Sequence, residues 1–398
     1  MRIFEFEPRQ LRRFDFLLAL LMVAMMVWGF FVIWGVTGAE WSKATFARKD
    51  LLYACVGFVA FLICCFLDLK TLEWASWIIY AICLLALIGV YFFGHEVQGA
   101  KAWYSIFGVT IQPAEFMKIA TVMVLANYMA NNRPYIERIS VFLKALILIA
   151  IPAAITVKAQ NDTGTALTFG PIFLVMVFMA GVPKRILVGF FGLIALAVFG
   201  VLLAAYMGAF SIGAKHDYQL QRISHVLGPT LSRPLIVALH RDPEKIFKAV
   251  QDVSRSGYQS QQARVAMGSG QIFGKGWGKG TQTKMSWLPS AHKDTIFASL
   301  CEQFGMMGCM LLLLGYSLMV WRCARISLQA RDMFCSLLAI GLTTIFVVHI
   351  IVNAGMNVDL LPVIGIPLPF MSYGGSFLVA LCIMFGLIVD VGMRKFIY

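Results

Sequence analysis

A single carboxylate, Asp294, stands where a long polar stretch beginning near Ser211 gives way to a new apolar segment at Thr295-Ile296. A charged acid at the lip of a bilayer is costly, and such residues are functional candidates by default. The chemistry open to a lone carboxylate there is proton acceptance. Other ionisable residues also lie where lipid would disfavour them. Glu115 and Lys118 follow Gln112-Pro113-Ala114, and their separation of three puts them on one helix face, close enough to pair. Such a pair either steadies a helix entry or faces a substrate. Asp162, next to Asn161 and ahead of Gly164-Thr165, suits a turn cap as well as a binding role. Glu302 is expected to pack against a polar partner, and His349 with Asn353 one turn on reads as an interhelical hydrogen-bonding pair. No His/Cys/Asp cluster has zinc-site spacing, and no Ser-His-Asp set assembles by pattern.

Two irregular stretches flank these residues. Gly268 to Gln282 carries six glycines with Lys275 and Lys279, a tight loop whose backbone amides could approach an anion closely. It is not a P-loop, because each Gly-Lys is followed by Gly. Asn353 to Ser376 is apolar yet holds Pro362, Pro367, Pro369 and several glycines, which exclude one continuous helix. Broken backbone at membrane depth is tolerated when buried in protein or lining a watery cavity. A cavity or re-entrant loop opening outward is therefore expected here.

The elements that must position these residues are membrane helices. Hydrophobic residues make up 60% of the chain and charged ones 13%, against about a quarter charged in a soluble domain. The expected fold is an all-α integral membrane protein, one domain over 1–398. Ten apolar segments are read at 14–37, 51–67, 74–93, 115–130, 140–157, 166–182, 186–208, 295–321, 333–352 and 376–392, of which the second, fourth and sixth are short. Strand-like alternation is absent. The first segment is too long for a signal-peptide core and is read as a retained span. The net charge is +13. Its arginines and lysines mark alternate short loops, among them Arg133, Arg138, Lys184, Arg185, Arg322 and Arg394. That pattern places both termini in the cytoplasm and the long loop, about 209–294, outside. The loop's own cations suit anionic head groups, phosphates or an acidic partner, with nothing pointing to nucleic acid. Within the loop, Asp242-Pro243-Glu244 starts a helix continued by Ile246, Phe247, Val250 and Val253. The nine cysteines lie in or beside apolar segments and read as packing residues.

The order and spacing of these pieces resemble the SEDS family of shape, elongation, division and sporulation proteins, and its RodA branch more closely than FtsW. The resemblance rests on Gln112 to Lys118, Asp162 to Thr165, Gly257-Tyr258-Gln259 through Gly270, Gly274-Lys275-Gly276, His292 to Phe297 with Glu302, and Pro362 through Gly375. It implies a peptidoglycan glycosyltransferase that polymerises lipid II at the outer face of the bacterial cytoplasmic membrane, for elongation and rod shape. It also implies a class B penicillin-binding protein as partner. Asp294 takes the place of the family's essential acid. Glu115, Lys118 and Asp162 match its other charged positions, and Arg222, Lys275, Gln282 and Ser372 are further expected substrate contacts. A divalent cation, Mg or Mn, could assist the pyrophosphate leaving group. Departures include Asn161 for a usual Pro, Gln303 for Glu, Asp359 for Gly, and added residues at about 226–256. The competing readings are a lipid-linked precursor flippase or transporter, for which broken helices and intramembrane charge also speak, and a non-catalytic scaffold of wall enzymes.

Overall fold

The structure, a computed structural model, describes residues 13–97, 100–106, 109–206, 258–285 and 287–394. Ten long helices account for every apolar segment: α1 Phe16–Val36, α2 Thr45–Cys64, α3 Leu69–Phe93, α4 Pro113–Asn131, α5 Ile139–Gln160, α6 Thr163–Met179, α7 Lys184–Tyr206, α8 Ile296–Leu328, α9 Met333–Asn357 and α10 Gly375–Met393. Six of them, α1, α3, α5, α8, α9 and α10, are long and apolar enough by themselves to cross a membrane. The three segments marked short in the sequence, now α2, α4 and α6, fall outside that set. The protein is an all-α, multi-pass membrane protein.

The helix starts follow from local chemistry. Asp15, Asp68, Asp162 and Asp332 each accept a backbone N–H in the first turn of α1, α3, α6 and α9, supplying partners for otherwise orphaned amides. Pro113 occupies the first turn of α4, where its missing N–H costs nothing. Asn161 ends α5 in the left-handed region at φ 56, a conformation closed to the proline usual in the resembling family.

Packing sorts the helices into two classes. Helices α4 and α10 are buried around nearly their whole circumference. By contrast α2 and α3 expose Leu52, Val56, Ile82 and Leu85, as lipid-facing helices should. Close approach of α2 to α10 depends on glycine: a Cβ on Gly57 would stand 2.9 Å from Cys382 Sγ, and one on Gly386 2.7 Å from the Phe61 carbonyl.

Two expectations are corrected. Between α3 and α4 the chain forms a three-stranded antiparallel sheet, β1 His95–Val97, β2 Ala100–Ile106 and β3 Val109–Ile111, in the order β1-β2-β3. Strands β1 and β3, at three residues each, are too short for alternation to register in the sequence, and the sheet lies beyond the helix ends, where its edges escape the ban on open backbone in lipid. The eighth segment is also not one continuous rod. Helix α8 breaks at Gly305, with φ 66 and ψ −165. The loop helix expected from Asp242 and the position of Arg222 lie outside the described residues.

Candidate active site

Asp294 closes a turn just ahead of α8, half-buried, and the backbone there is held from three sides. The His292 carbonyl accepts from the Tyr373 N–H at 2.8 Å. The Lys293 carbonyl accepts from Ser372 Oγ at 2.7 Å. The Asp294 carbonyl accepts from both Asn353 Nδ2 and Asn357 Nδ2 at 3.1 Å. Three successive carbonyls are thus claimed by neutral donors on α9 and on the segment 358–374. A backbone pinned at consecutive residues fixes the direction in which the Asp294 side chain leaves it. That side chain points toward Gly365: a Cβ there would lie 3.9 Å from Asp294 Oδ2.

The segment 358–374 is irregular, as its prolines and glycines require, and its interior is buried at Leu368, Phe370 and Met371. Asp359 enters it at φ 67 and Gly365 adopts φ 76. Asp is among the few non-glycine residues that tolerate the left-handed region, which reconciles Asp359 with the Gly usual there in the resembling family.

This segment gathers the other charged positions. Lys118 is 1% exposed and lies 2.8 Å from Glu115 Oε2 and 2.9 Å from His349 Nε2. His349 Nδ1 sits 3.1 Å from the Pro367 carbonyl. A carbonyl only accepts, so Nδ1 carries the proton and Nε2 accepts from the Lys118 ammonium. Asn353 then donates to the Ile366 carbonyl at 2.7 Å as well as to Asp294. A run of hydrogen bonds therefore passes from Glu115 and Lys118 through the broken segment to the backbone of Asp294. Asp162 caps α6 through the Thr165 N–H and hydroxyl, at 3.0 and 2.7 Å, and accepts from Gln112 Nε2 at 3.1 Å. Next to it, a Cβ on Gly164 would collide with the Ile364 carbonyl at 2.5 Å. Asp294, Glu115, Lys118, Asp162 and Ser372 thus converge on residues 364–373.

Lys275 and Gln282 belong to a second cluster. Glu302 is completely buried and accepts from Lys275 Nζ at 2.9 Å, Thr281 Oγ1 at 3.3 Å, and the Gln282 and Thr283 amides at 2.9 and 3.3 Å. The glycine-rich loop also fills the break in α8. Lys275 and Gly276 amides donate to the Glu302 and Gln303 carbonyls, while Met306 and Met307 amides donate to Gln271 and Ile272. Gly305 admits this docking because its Cβ would meet Gly274 N and Ile272 O at 2.4 Å.

Beside Asp294, His292 stacks on Phe46 at 4.1 Å between ring centroids. Burial, aided by the neighbouring Lys293 charge, pushes its pKa down to about 4, so the ring is neutral near pH 7. Burial, reinforced by Tyr53 and Asp50, pushes the Tyr373 hydroxyl up to about 12. Among the described residues, no set of three His, Cys, Asp or Glu side chains is placed to hold a metal ion. Asn357 and Tyr373 fall inside the broken stretch Asn353 to Ser376, and the sequence assigned neither an individual role; the Asn353/Asn357 spacing of four was the available signal for the first.

Comparison with known proteins adds an independent line. The family model for the FtsW, RodA and SpoVE cell cycle proteins matches residues 10–396. The peptidoglycan glycosyltransferase MrdB of Escherichia coli K12 is 33% identical over 379 residues, covering 94% of this chain and 92% of that protein. A chain from a solved peptidoglycan synthase complex that coordinates polymerisation and crosslinking superposes with a TM-score of 0.75 at 25% identity, over 96% of this chain and 98% of that one. The crystal structure of the rod shape determining protein RodA of Thermus thermophilus shares the fold, with a TM-score of 0.67 at 23% identity over 97% and 98% of the two chains.

Proposed function

The chain belongs to the FtsW, RodA and SpoVE family of cell cycle proteins, and from that premise we propose that it is a peptidoglycan glycosyltransferase with Asp294 as its proton acceptor. The substrate is lipid II. An acceptor sugar hydroxyl loses its proton to the Asp294 carboxylate as its oxygen attacks the anomeric carbon of the donor. The bond from that carbon to the pyrophosphate oxygen breaks, the lipid pyrophosphate departs with the electron pair, and the anomeric centre inverts. A positioned carboxylate contributes roughly 10²–10⁴-fold in such a step.

The observation that carries this assignment is the clamp on three consecutive carbonyls, 292 to 294, which aims one half-buried acid along the broken segment. Stabilising the departing charge is the other large contribution to such a reaction. Lys118 would take a phosphate oxygen by exchanging its bond to His349 or Glu115, and Lys293 brings a second cation next to the acid. Lys275 is engaged by Glu302, so its part, with Gln282, is to hold the glycine loop in place. Asp162 and Ser372 act through the turns that they fix. Arg222 keeps the role that the family resemblance implies.

The setting is a bacterial cytoplasmic membrane with both termini inside, Asp294 facing outward, a class B penicillin-binding protein as crosslinking partner, and cell elongation as the process served. The decisive assay is glycan-strand formation from lipid II in detergent by the folded protein and its Asp294→Asn variant. Strand growth undiminished in a variant that melts normally would remove the assignment. Strand synthesis in detergent also separates polymerisation from flipping, since no second compartment is present.

A further inference from the structure

At the end of the bundle opposite Asp294, the termini of α3, α9 and α10 surround a polar cavity of about 220 Å³ lined by Asp68, Lys70, Glu73, Arg331, Asp332 and Arg394. A wider, open hollow of about 570 Å³ shares Lys70 and Glu73 with it and is walled by Trp74, Trp77, Ile78 and Asn127. Half of the cavity's charges are committed to the fold. Asp68 caps α3 through Thr71 at 3.0 Å and Asp332 caps α9 through Cys335 at 2.8 Å. Arg394 donates to Asp390 at 2.8 Å and to the Leu67 carbonyl at 2.7 Å. Among the described residues, the side chains of Lys70, Glu73 and Arg331 make no hydrogen bond or ion pair. One carboxylate and two cations without such partners therefore face the same space, beside the capping Asp68 and Asp332 and the paired Arg394.

The mouth of that space lies on the lipid side. Trp74 and Trp77 are 62% and 45% exposed in the first turns of α3, with Ile78 beside them. Indoles at the end of a membrane helix sit at head-group level. A phosphate suits Lys70 and Arg331, which supply charge-assisted donors. Glu73 would repel a purely anionic head group, and it calls for a cation that can donate N–H bonds. A soluble phosphate compound would leave the indoles without a role.

We propose that this cavity binds the head group of a phospholipid bearing both a phosphate and a primary ammonium, a phosphatidylethanolamine, from the leaflet opposite Asp294. The phosphate lies between Lys70 and Arg331, the ammonium meets Glu73, and the acyl chains follow Trp74, Trp77 and Ile78. A lipid so placed bridges the starts of α3 and α9.

The test uses the full chain in detergent, with retention of added phosphatidylethanolamine, phosphatidylglycerol and phosphatidylcholine read by native mass spectrometry. Phosphatidylethanolamine should bind about five-fold more tightly than either of the others, the scale of one partly exposed ion pair. Glu73→Gln should abolish that preference, and Lys70→Ala or Arg331→Ala should weaken binding by a similar factor. Because Lys70 and Arg331 are at the surface, these two variants keep the proposal testable if Glu73→Gln does not fold. Equal retention of all three lipids, a preference for phosphatidylglycerol, or binding indifferent to Lys70→Ala and Arg331→Ala would overturn it. Displacement of the lipid by free phosphoethanolamine at equal concentration would overturn the membrane as its source.

Discussion

Asp294 and Glu302, two turns apart in the chain, show how one residue type is put to opposite uses by its surroundings. Glu302 has no exposed surface and its carboxylate collects four donors, including the Lys275 ammonium. At Asp294 it is the backbone that collects them, from amide and hydroxyl groups without charge, while the side chain stays half-buried beside Gly365. The donors around Glu302 hold that side chain itself in place, whereas the donors at residues 292–294 hold the main chain and so set the direction in which the Asp294 side chain leaves it. The two irregular stretches around them divide in the same way. The glycine loop serves Glu302 and the break in α8, and segment 358–374 serves Asp294.

The contrast breaks if the two acids fail the same assay in the same way. Asp294→Asn should lower glycan-strand synthesis by about 10²–10⁴-fold with the melting temperature unchanged. Glu302→Gln should instead lower stability, by about 1–3 kcal/mol for the lost charged hydrogen bonds, and its remaining activity should track the folded fraction. The clamp itself is sharpened by Asn353→Ala with Asn357→Ala. Loosening the Asp294 backbone should reduce kcat by about 10²-fold, the scale of a small misplacement of a catalytic group. An effect on KM alone would point to substrate binding instead.

Lys118 tests whether segment 358–374 carries chemistry beyond Asp294. Lys118→Ala leaves Glu115 buried without its cation, which costs roughly 3–5 kcal/mol. The informative variant is therefore Lys118→Met combined with Glu115→Gln, which removes both charges together. Recovered folding with strand synthesis still lost assigns Lys118 to the reaction, whereas recovery of both makes the pair structural. The smallest expected effect concerns His292, whose folded pKa of about 4 lies below its usual 6.5. Between those values the unfolded chain binds more protons than the folded one, so stability is complete above pH 6.5 and falls as pH drops toward 4. In His292→Phe, which keeps the stack on Phe46, melting should respond less to pH across that window.

Much of this was legible in the residues, and the exceptions have physical causes. Hydropathy located all ten helices because each must satisfy a nonpolar environment along its length. The prolines of 362–369 announced the broken segment because no helix accommodates them in such density. The break in α8 was hidden because a lone glycine inside an apolar run looks like any other small residue. Only the neighbouring loop, distant in pattern though near in space, shows what Gly305 makes room for. The sheet at 95–111 escaped because β1 and β3, with three paired residues each, leave too short a record. The linkage of Lys118 to His349 and of Asn353 to Asp294 joins residues 231 and 59 positions apart, which no local spacing can encode.

The break at Gly305 gives the Met306 and Met307 amides an unusual address. In an unbroken helix they would bond within their own rod and swap hydrogen for deuterium only when that rod unravels. Here their acceptors, Gln271 and Ile272, belong to the glycine loop. Solvent isotope uptake at two positions within α8 is thereby set by how often a distant stretch of chain lifts away, and those two amides become built-in reporters of whether that loop is seated.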